Sequence, residues 1–373
     1  MKDQLNIYEH FKAIPDPRRE RGKKHLLEDI IFIAIVSILC GADDWNEIEM
    51  FADLKIDWFR KFSPLKNGIP SHDTFNRVFS LLDPKKFTEL TVELFRSNIL
   101  GGLDLVSIDG KTVRRSVDKK NNKFPIHIVS AWSSKNRISL GQVKVDEKSN
   151  EITAIPELLS QINVKKSVVS IDAIGCQKKI TEKIIAQNGD YAIALKENQP
   201  TIYNEVLNYF ETQILFGFEG VNVGYSKKEE KGHGRIEKRE YWLLTDIDWI
   251  SQKGDWVGLK SVGMVRSERE YRGKKSIESR YFISSLTDND LFQKSVRAHW
   301  QIENSCHWVL DVVFREDDSR IRAGFAAENF SVMRKIALNF LKKDTTFKNG
   351  VKGKRRGAGQ CCQVKENRVL YDM

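Results

Sequence analysis

Val106-Ser-Ile-Asp109, repeated as Val169-Ser-Ile-Asp172, is the stretch on which the reading of this chain turns. Each copy ends a short run rich in Val and Ile, and each Asp is followed within three residues by glycine, Gly110 or Gly175. Short β-branched runs bounded by turn residues predict strands. An Asp at the end of a strand often only caps the turn. Two such strands in one sheet, however, bring two carboxylates to one region. Like charges that close are costly unless a cation lies between them.

Working outward, Leu103–Ile108, Ile126–Trp132 and Ile138–Val145 follow one another with short turns and predict an antiparallel meander. Ser167–Ile171 and Tyr191–Leu195 predict two further strands, alternating with helical periodicity over Ile152–Ile162 and Lys178–Asn188. That order is a mixed α/β domain, placed at residues 101–345. Residues 200–286 read as mostly β, charged and Gly-containing, and are taken as an insertion into it. Residues 1–100 read as a small all-α domain. It holds an apolar helix near Leu27–Cys40 ended by Gly41, a helix capped by Asp44, and another begun at Pro70-Ser71. Gly101-Gly102 reads as the linker, and the basic tail 346–373 is expected to be disordered.

A third carboxylate follows from helical arithmetic. At about 100° per residue, Phe292, Val296, Trp300, Glu303, His307 and Leu310 share a sector of about 80°. Glu303 is therefore expected on an inward face, where a charge is expensive without a partner. It is either one half of a buried salt bridge or a metal ligand facing the sheet. Three carboxylates suit Mg²⁺ or Mn²⁺. Two such ions about 4 Å apart can activate water on one side of a phosphodiester and stabilise the leaving 3′ oxygen on the other.

Composition narrows the partners. Lys plus Arg number 61 against 51 acidic residues, a net charge of +10 that makes a polyanion the first partner to consider. The longest apolar run, Ile30–Cys40, is too short for a membrane span of about 20 residues, and no secretory signal core is evident. Five cysteines without a CxxC pair argue against a disulfide framework or zinc finger and for a reduced, cytosolic protein.

Four stretches carry a resemblance: Ser107–Ser116, Ser170–Gln177, Tyr191–Gln199 and Arg297–Asp317. They resemble the DDE transposases of the ISAs-one insertion-sequence family, which includes the H-repeat-associated proteins, within the IS-four-like superfamily. Phe11–Arg18 and Pro70–Phe79 are similar to the domain preceding the catalytic core in that family. The resemblance implies a ribonuclease-H-like core with a β-rich insertion. It also implies a catalytic triad, Asp109, Asp172 and Glu303, on two Mg²⁺ or Mn²⁺ ions. The implied partners are double-stranded DNA, as terminal inverted repeats and target, and a second copy of the chain assembled on that DNA in the bacterial cytosol. Related branches carry Y-x2-R-x3-E-x6-K around the Glu; here those places hold Val296, His299 and Leu310. The end also departs, reading Gln360-Cys-Cys-Gln-Val-Lys where an aromatic-acidic continuation is expected. Two other readings stand beside the active transposase: a degenerate element protein that binds DNA without catalysis, and a ribonuclease-H-like host nuclease.

Phosphate contacts are expected from Lys111, Arg114 and Arg115, from Lys196, Asn198 and Gln199, and from Arg297, Asn304 and His307. The alternative for the first three is a solvated strand end. Glu316, Asp317 and Asp318 are rival metal ligands unless paired with Arg320 and Arg322, and His299, Cys306 and His307 lack the spacing of a zinc site. Basic residues of the insertion, with His233 at a hairpin tip, lie against DNA or line a solvated face. Arg18, Arg19, Arg21, His72 and Arg77 mark the N-terminal helices as a DNA-docking or interdomain module.

Overall fold

A computed structural model describes residues 7–96, 101, 104–117, 124–146, 150–232, 235–271, 273–345 and 347–361. Gly102 of the expected linker, His233 and the tail 362–373 lie outside the described residues. Among the described residues nine strands form one sheet in the order β3-β2-β1-β4-β5-β9-β8-β7-β6. They are β1 (Asp104–Thr112), β2 (His127–Ser133), β3 (Ile138–Val145), β4 (Ser167–Ile171), β5 (Asp190–Leu195), β6 (Val223–Gly232), β7 (Arg235–Leu244), β8 (Ser261–Tyr271) and β9 (Lys274–Ser284). The first three pair antiparallel, as the short turns predict, while β4 and β5 join parallel to β1 through helical crossovers. This is the ribonuclease-H-like core that the resemblance implies, and β9 continues it by pairing antiparallel with β5. The insertion therefore extends the core sheet.

Side-chain alternation sorts the sheet into two faces. Parallel pairing sets Ser107 opposite Ser170 and Ile108 opposite Ile171. Ser107, Asp109, Ser170 and Asp172 thus share one face. The helices Asn289–Ile302 and Ala326–Lys343 cover it, through Ser107 Oγ donating to Ala298 O (3.1 Å) and Asn339 Nδ2 to Ser139 O (2.9 Å). The other face carries Val106, Ile108, Val169 and Ile171 into the main core beneath the Glu151–Gln161 and Lys178–Ala186 helices.

The N-terminal helices share that core. Leu27–Leu39 is apolar all round and buried, as a core helix should be. Trp45 stacks on Phe79 and meets Phe330 edge-on at 4.8 Å, and Asn329 Nδ2 donates to the carbonyls of Phe79 and Leu82.

Two expectations are corrected. Pro200–Leu215, expected to be mostly β, is a helix with Pro200 in its first turn and Ile202, Val206 and Phe210 buried at four-residue spacing. Val351–Cys361, expected to be disordered, is also a helix. It is held by Arg355, whose guanidinium donates to Ile38 O (2.9 Å), Ala42 O (2.9 Å), Val313 O (2.6 Å) and Asp43 (2.7 Å). No described helix is long and apolar enough to cross a membrane.

Candidate active site

Asp109 lies one residue past the part of β1 that pairs with β4, and Asp172 just past the end of β4. Asp172 also caps the turn that follows, accepting from Ile174 N at 3.2 Å, so the turn-cap and site readings coexist. The third carboxylate arrives on the helix that begins at Asn289, where Asp288 caps by accepting from Leu291 N (2.7 Å). Phe292 and Val296 anchor that helix in a cluster with Val168, Ala192 and Phe282. Beyond Ile302 the α-helix gives way to a π turn, Glu303–His307, before resuming at Trp308. The sequence periodicity passes through this turn without showing it. Glu303 is half exposed rather than packed inward, because the face it shares with Val296 opens there into a cavity.

That cavity, of about 460 Å³, is lined by Asp109, Asp172 and Glu303 together with Lys196, Arg280 and Trp300. Arg280 lies over the Trp300 ring at 5.1 Å. Oxygens of Asp109 and Glu303 and a nitrogen of His307 lie within 4.8 Å of one another; Asp172 stands outside that set but lines the same cavity. Burial, reinforced by the Asp172 charge, pushes the Asp109 carboxyl up to about 6, against the pull of His307. Burial raises Asp172 too, with the Glu151 charge adding to it. Glu303 is held below the usual range, first by its hydrogen bond with His307. Two carboxyls raised by burial and nearby negative charge, beside a third held below the usual range, form a donor set that fits divalent cations.

Other expected contacts fall elsewhere. Lys111 is drawn into an internal network, with Nζ 2.6 Å from Asp311, 3.1 Å from Glu316 and 3.1 Å from Asp317. Glu316 is buried, accepts from Ser331 Oγ at 2.9 Å, and is pushed down to about 2 by Lys111, Lys335 and Arg334 despite its burial. The rival acidic run is thus a paired structural cluster. Arg114 and Arg115 are exposed, 3.3 Å and 3.4 Å from Asp317 and Asp318. Asn198 donates to Ala173 O (2.7 Å) and Gln199 to Cys176 O (2.9 Å), so both brace the loop after Asp172. Arg297 turns away from the triad toward Glu230 of β6 (3.2 Å), and Asn304 donates to Trp300 O (3.0 Å). Of this group Lys196 alone lines the triad cavity; it is exposed and makes no ion pair among the described residues. His299 meets Ser170 Oγ at 3.3 Å and is lowered by burial to about 4, while burial raises the Cys306 thiol to about 12; neither joins a zinc cluster. In the N-terminal region Arg18 is buried against Asp16 and His72 bonds Glu49, while Arg19, Arg21 and Arg77 are exposed.

One pair was not read from the sequence. His127 Nε2 lies 2.7 Å from Glu151 Oε1, and His127 Nδ1 lies 2.8 Å from Thr112 Oγ1. The pair presses on Gly110, where a Cβ would overlap the Glu151 carboxylate and stand 2.6 Å from His127 Nε2. The Glu151 charge is felt by both Asp109 and Asp172.

Residues 100–340 match the family described as Transposase DDE domain, and residues 8–94 match the region associated with it. The chain belongs to the DDE transposase family. It is 40% identical over 370 residues to "Putative transposase YncI" of Escherichia coli O157:H7, covering 97% of this chain and 94% of that protein. It is also 40% identical over 360 residues to "H repeat-associated putative transposase YhhI" of E. coli K12, covering 94% of each. A cryo-EM structure of the piggyBac transposase synaptic complex with hairpin DNA aligns at a TM-score of 0.39 and 11% identity, over all of this chain and 80% of that one.

Proposed function

We propose that this transposase binds the ends of its element, cleaves DNA strands there and transfers the freed 3′ ends to target DNA, using divalent cations held by Asp109, Asp172 and Glu303. The observation that carries the reading is the convergence of three carboxylates, distant along the chain, on one cavity at the strand ends. Mg²⁺ or Mn²⁺ bound there would supply activation of the attacking hydroxyl and stabilisation of the leaving oxygen. Asp109 and Asp172 stand close enough for one charge to raise the other, which is the electrostatic demand a cation meets. Lys196 and Arg280 line the same cavity and are assigned to phosphate contact, Arg280 from its seat over Trp300. Arg114 and Arg115, exposed beside the site, are assigned to the flanking duplex. Asn198 and Gln199 are assigned to holding the Asp172 loop. The protein is taken to act in the bacterial cytosol as a dimer assembled on DNA.

The test is strand cleavage and joining on a terminal inverted-repeat duplex with Mg²⁺ or Mn²⁺. Asp109→Ala should abolish both while leaving duplex binding within about tenfold; undiminished cleavage by the variant would defeat the assignment. Binding should weaken with salt, with a log–log slope of roughly −0.9 per neutralised phosphate.

A further inference from the structure

We propose that His307 is a metal ligand, giving a nitrogen through Nδ1 to the ion shared by Asp109 and Glu303. The inference rests on the metal-dependent reading above and adds a donor to it. His307 Nδ1 lies 3.5 Å from Asp109 Oδ2 and 3.4 Å from Glu303 Oε2. Charge-assisted N–H···O bonds run about 2.7–2.9 Å, so both contacts are long for a histidine that merely neutralises the two acids. Donors around one ion at about 2.1 Å stand roughly 3.0 Å apart in an octahedron and roughly 3.4 Å apart in a tetrahedron. The observed spacing is the one expected of ligands awaiting a common ion.

The backbone supports the assignment. The π turn begins at Glu303 and ends at His307, and such single turns within α-helices are frequent at functional sites. His307 is 3% exposed, so its ring is held in place behind the carboxylates and does not reach out to a phosphate in the cavity mouth. Its Nε2 is buried with no partner among the described residues, which leaves Nδ1 as the nitrogen facing the acids. An imidazole donor changes the selectivity of the site. Mg²⁺ takes oxygen ligands, whereas first-row transition ions accept imidazole readily. The site should therefore favour Mn²⁺ over Mg²⁺ through His307.

The test uses the full chain with Mn²⁺ alone, without DNA, read by pulsed electron paramagnetic resonance. Bound Mn²⁺ should show coupling to a directly ligated ¹⁴N, and labelling the protein with ¹⁵N-histidine should replace that signal. The coupling should vanish in His307→Gln and persist in His127→Gln and His299→Gln. Mn²⁺ affinity should fall by about tenfold or more in His307→Gln, with a smaller loss for Mg²⁺. The isotope swap needs no variant, so poor folding of His307→Gln does not blunt the experiment. Mn²⁺ bound in an Asp109-dependent way but without nitrogen coupling, or with coupling that survives His307→Gln, overturns the ligand assignment and leaves the carboxylate site standing. Mn²⁺ binding that is absent, or that is unchanged in Asp109→Asn, overturns the metal-dependent reading itself.

Discussion

Replacing Asp109 with Asn should make the ion-free protein more stable while removing its catalysis. Burial beside Asp172 moves the Asp109 carboxyl from 3.8 to about 6. An acid raised by folding favours the folded state only while it holds its proton. That relative gain is complete below about pH 3.8 and lost as the pH rises through about 6. At pH 7.5 the ionised group is therefore a net cost to folding. At about 1.36 kcal/mol per pH unit the cost is about 3 kcal/mol, and Asn, of similar shape and no charge, should recover most of it. With an average unfolding entropy per residue, a gain of 2–3 kcal/mol corresponds to a Tm rise of about 3–4 °C. The assay is thermal and urea unfolding of both proteins in EDTA at pH 7.5 and again at pH 5, where the gap should shrink. Mn²⁺ at about 100 times its Kd should then close the gap, stabilising the wild type by about 2.7 kcal/mol, and at about 1,000 times its Kd, worth about 4.1 kcal/mol, it should reverse the order. An Asn variant no more stable than wild type in EDTA, or a gap indifferent to pH, would refute the electrostatic account of the site.

Three other substitutions probe what surrounds it. Gly110→Ala drives a methyl into the Glu151 carboxylate and to 2.6 Å from His127 Nε2; the expected loss is about 1–3 kcal/mol by chemical denaturation, with strand cleavage falling alongside. Lys111→Met strands Asp311, Glu316 and Asp317 around a vacated cation site; breaking a buried pair should cost about 3–5 kcal/mol, and equal urea midpoints for variant and wild type would contradict it. Arg355→Ala removes the guanidinium that ties the C-terminal helix to Ile38, Ala42, Asp43 and Val313. It should expose that helix to limited proteolysis before the rest of the chain and lower Tm.

The first five strands were legible because each announces itself locally, and Val-Ser-Ile-Asp occurs twice in parallel register, whereas β6 to β9 showed only as a β-rich stretch. Glu303 was legible because Phe292 and Val296 set a helical stripe that passes through it. The π turn was not, since a helix-period count assumes the turn never changes. Pro200–Leu215 carried helical spacing at Ile202, Val206 and Phe210, but its Ile, Tyr and Phe content pulled the reading toward strand. Glu151 opens a helix capped by Asn150 (Asn150 Oδ1 to Ile152 N, 3.1 Å), where an acid needs no further reason than the helix dipole. The packing of that helix against β2 brings Glu151 to His127, a contact between residues 24 apart in the chain. The basic stretch Lys352–Arg356 looks disordered by composition, and Arg355 finds its acceptors at the end of a helix more than 300 residues earlier, at Ile38 and Ala42.

Asp109 and Lys111 lie two residues apart on one strand, and their opposite fates explain why the site calls for a cation from outside. Alternation sends both side chains to the same face. A lysine so placed is the obvious neutralising partner for Asp109. Instead its ammonium is drawn to Asp311, Glu316 and Asp317, which hold it in a buried network reaching Ser331 and Arg334. That network pushes Glu316 down to about 2, while burial, with the Asp172 charge adding to it, raises Asp109 to about 6 against the pull of His307. The same fold thus gives Glu316 the Lys111 ammonium and leaves the Asp109 carboxylate, two residues from that lysine along β1, without it. An excess of negative charge facing an open cavity is costly to the ion-free protein, and a divalent ion bound there would remove that cost.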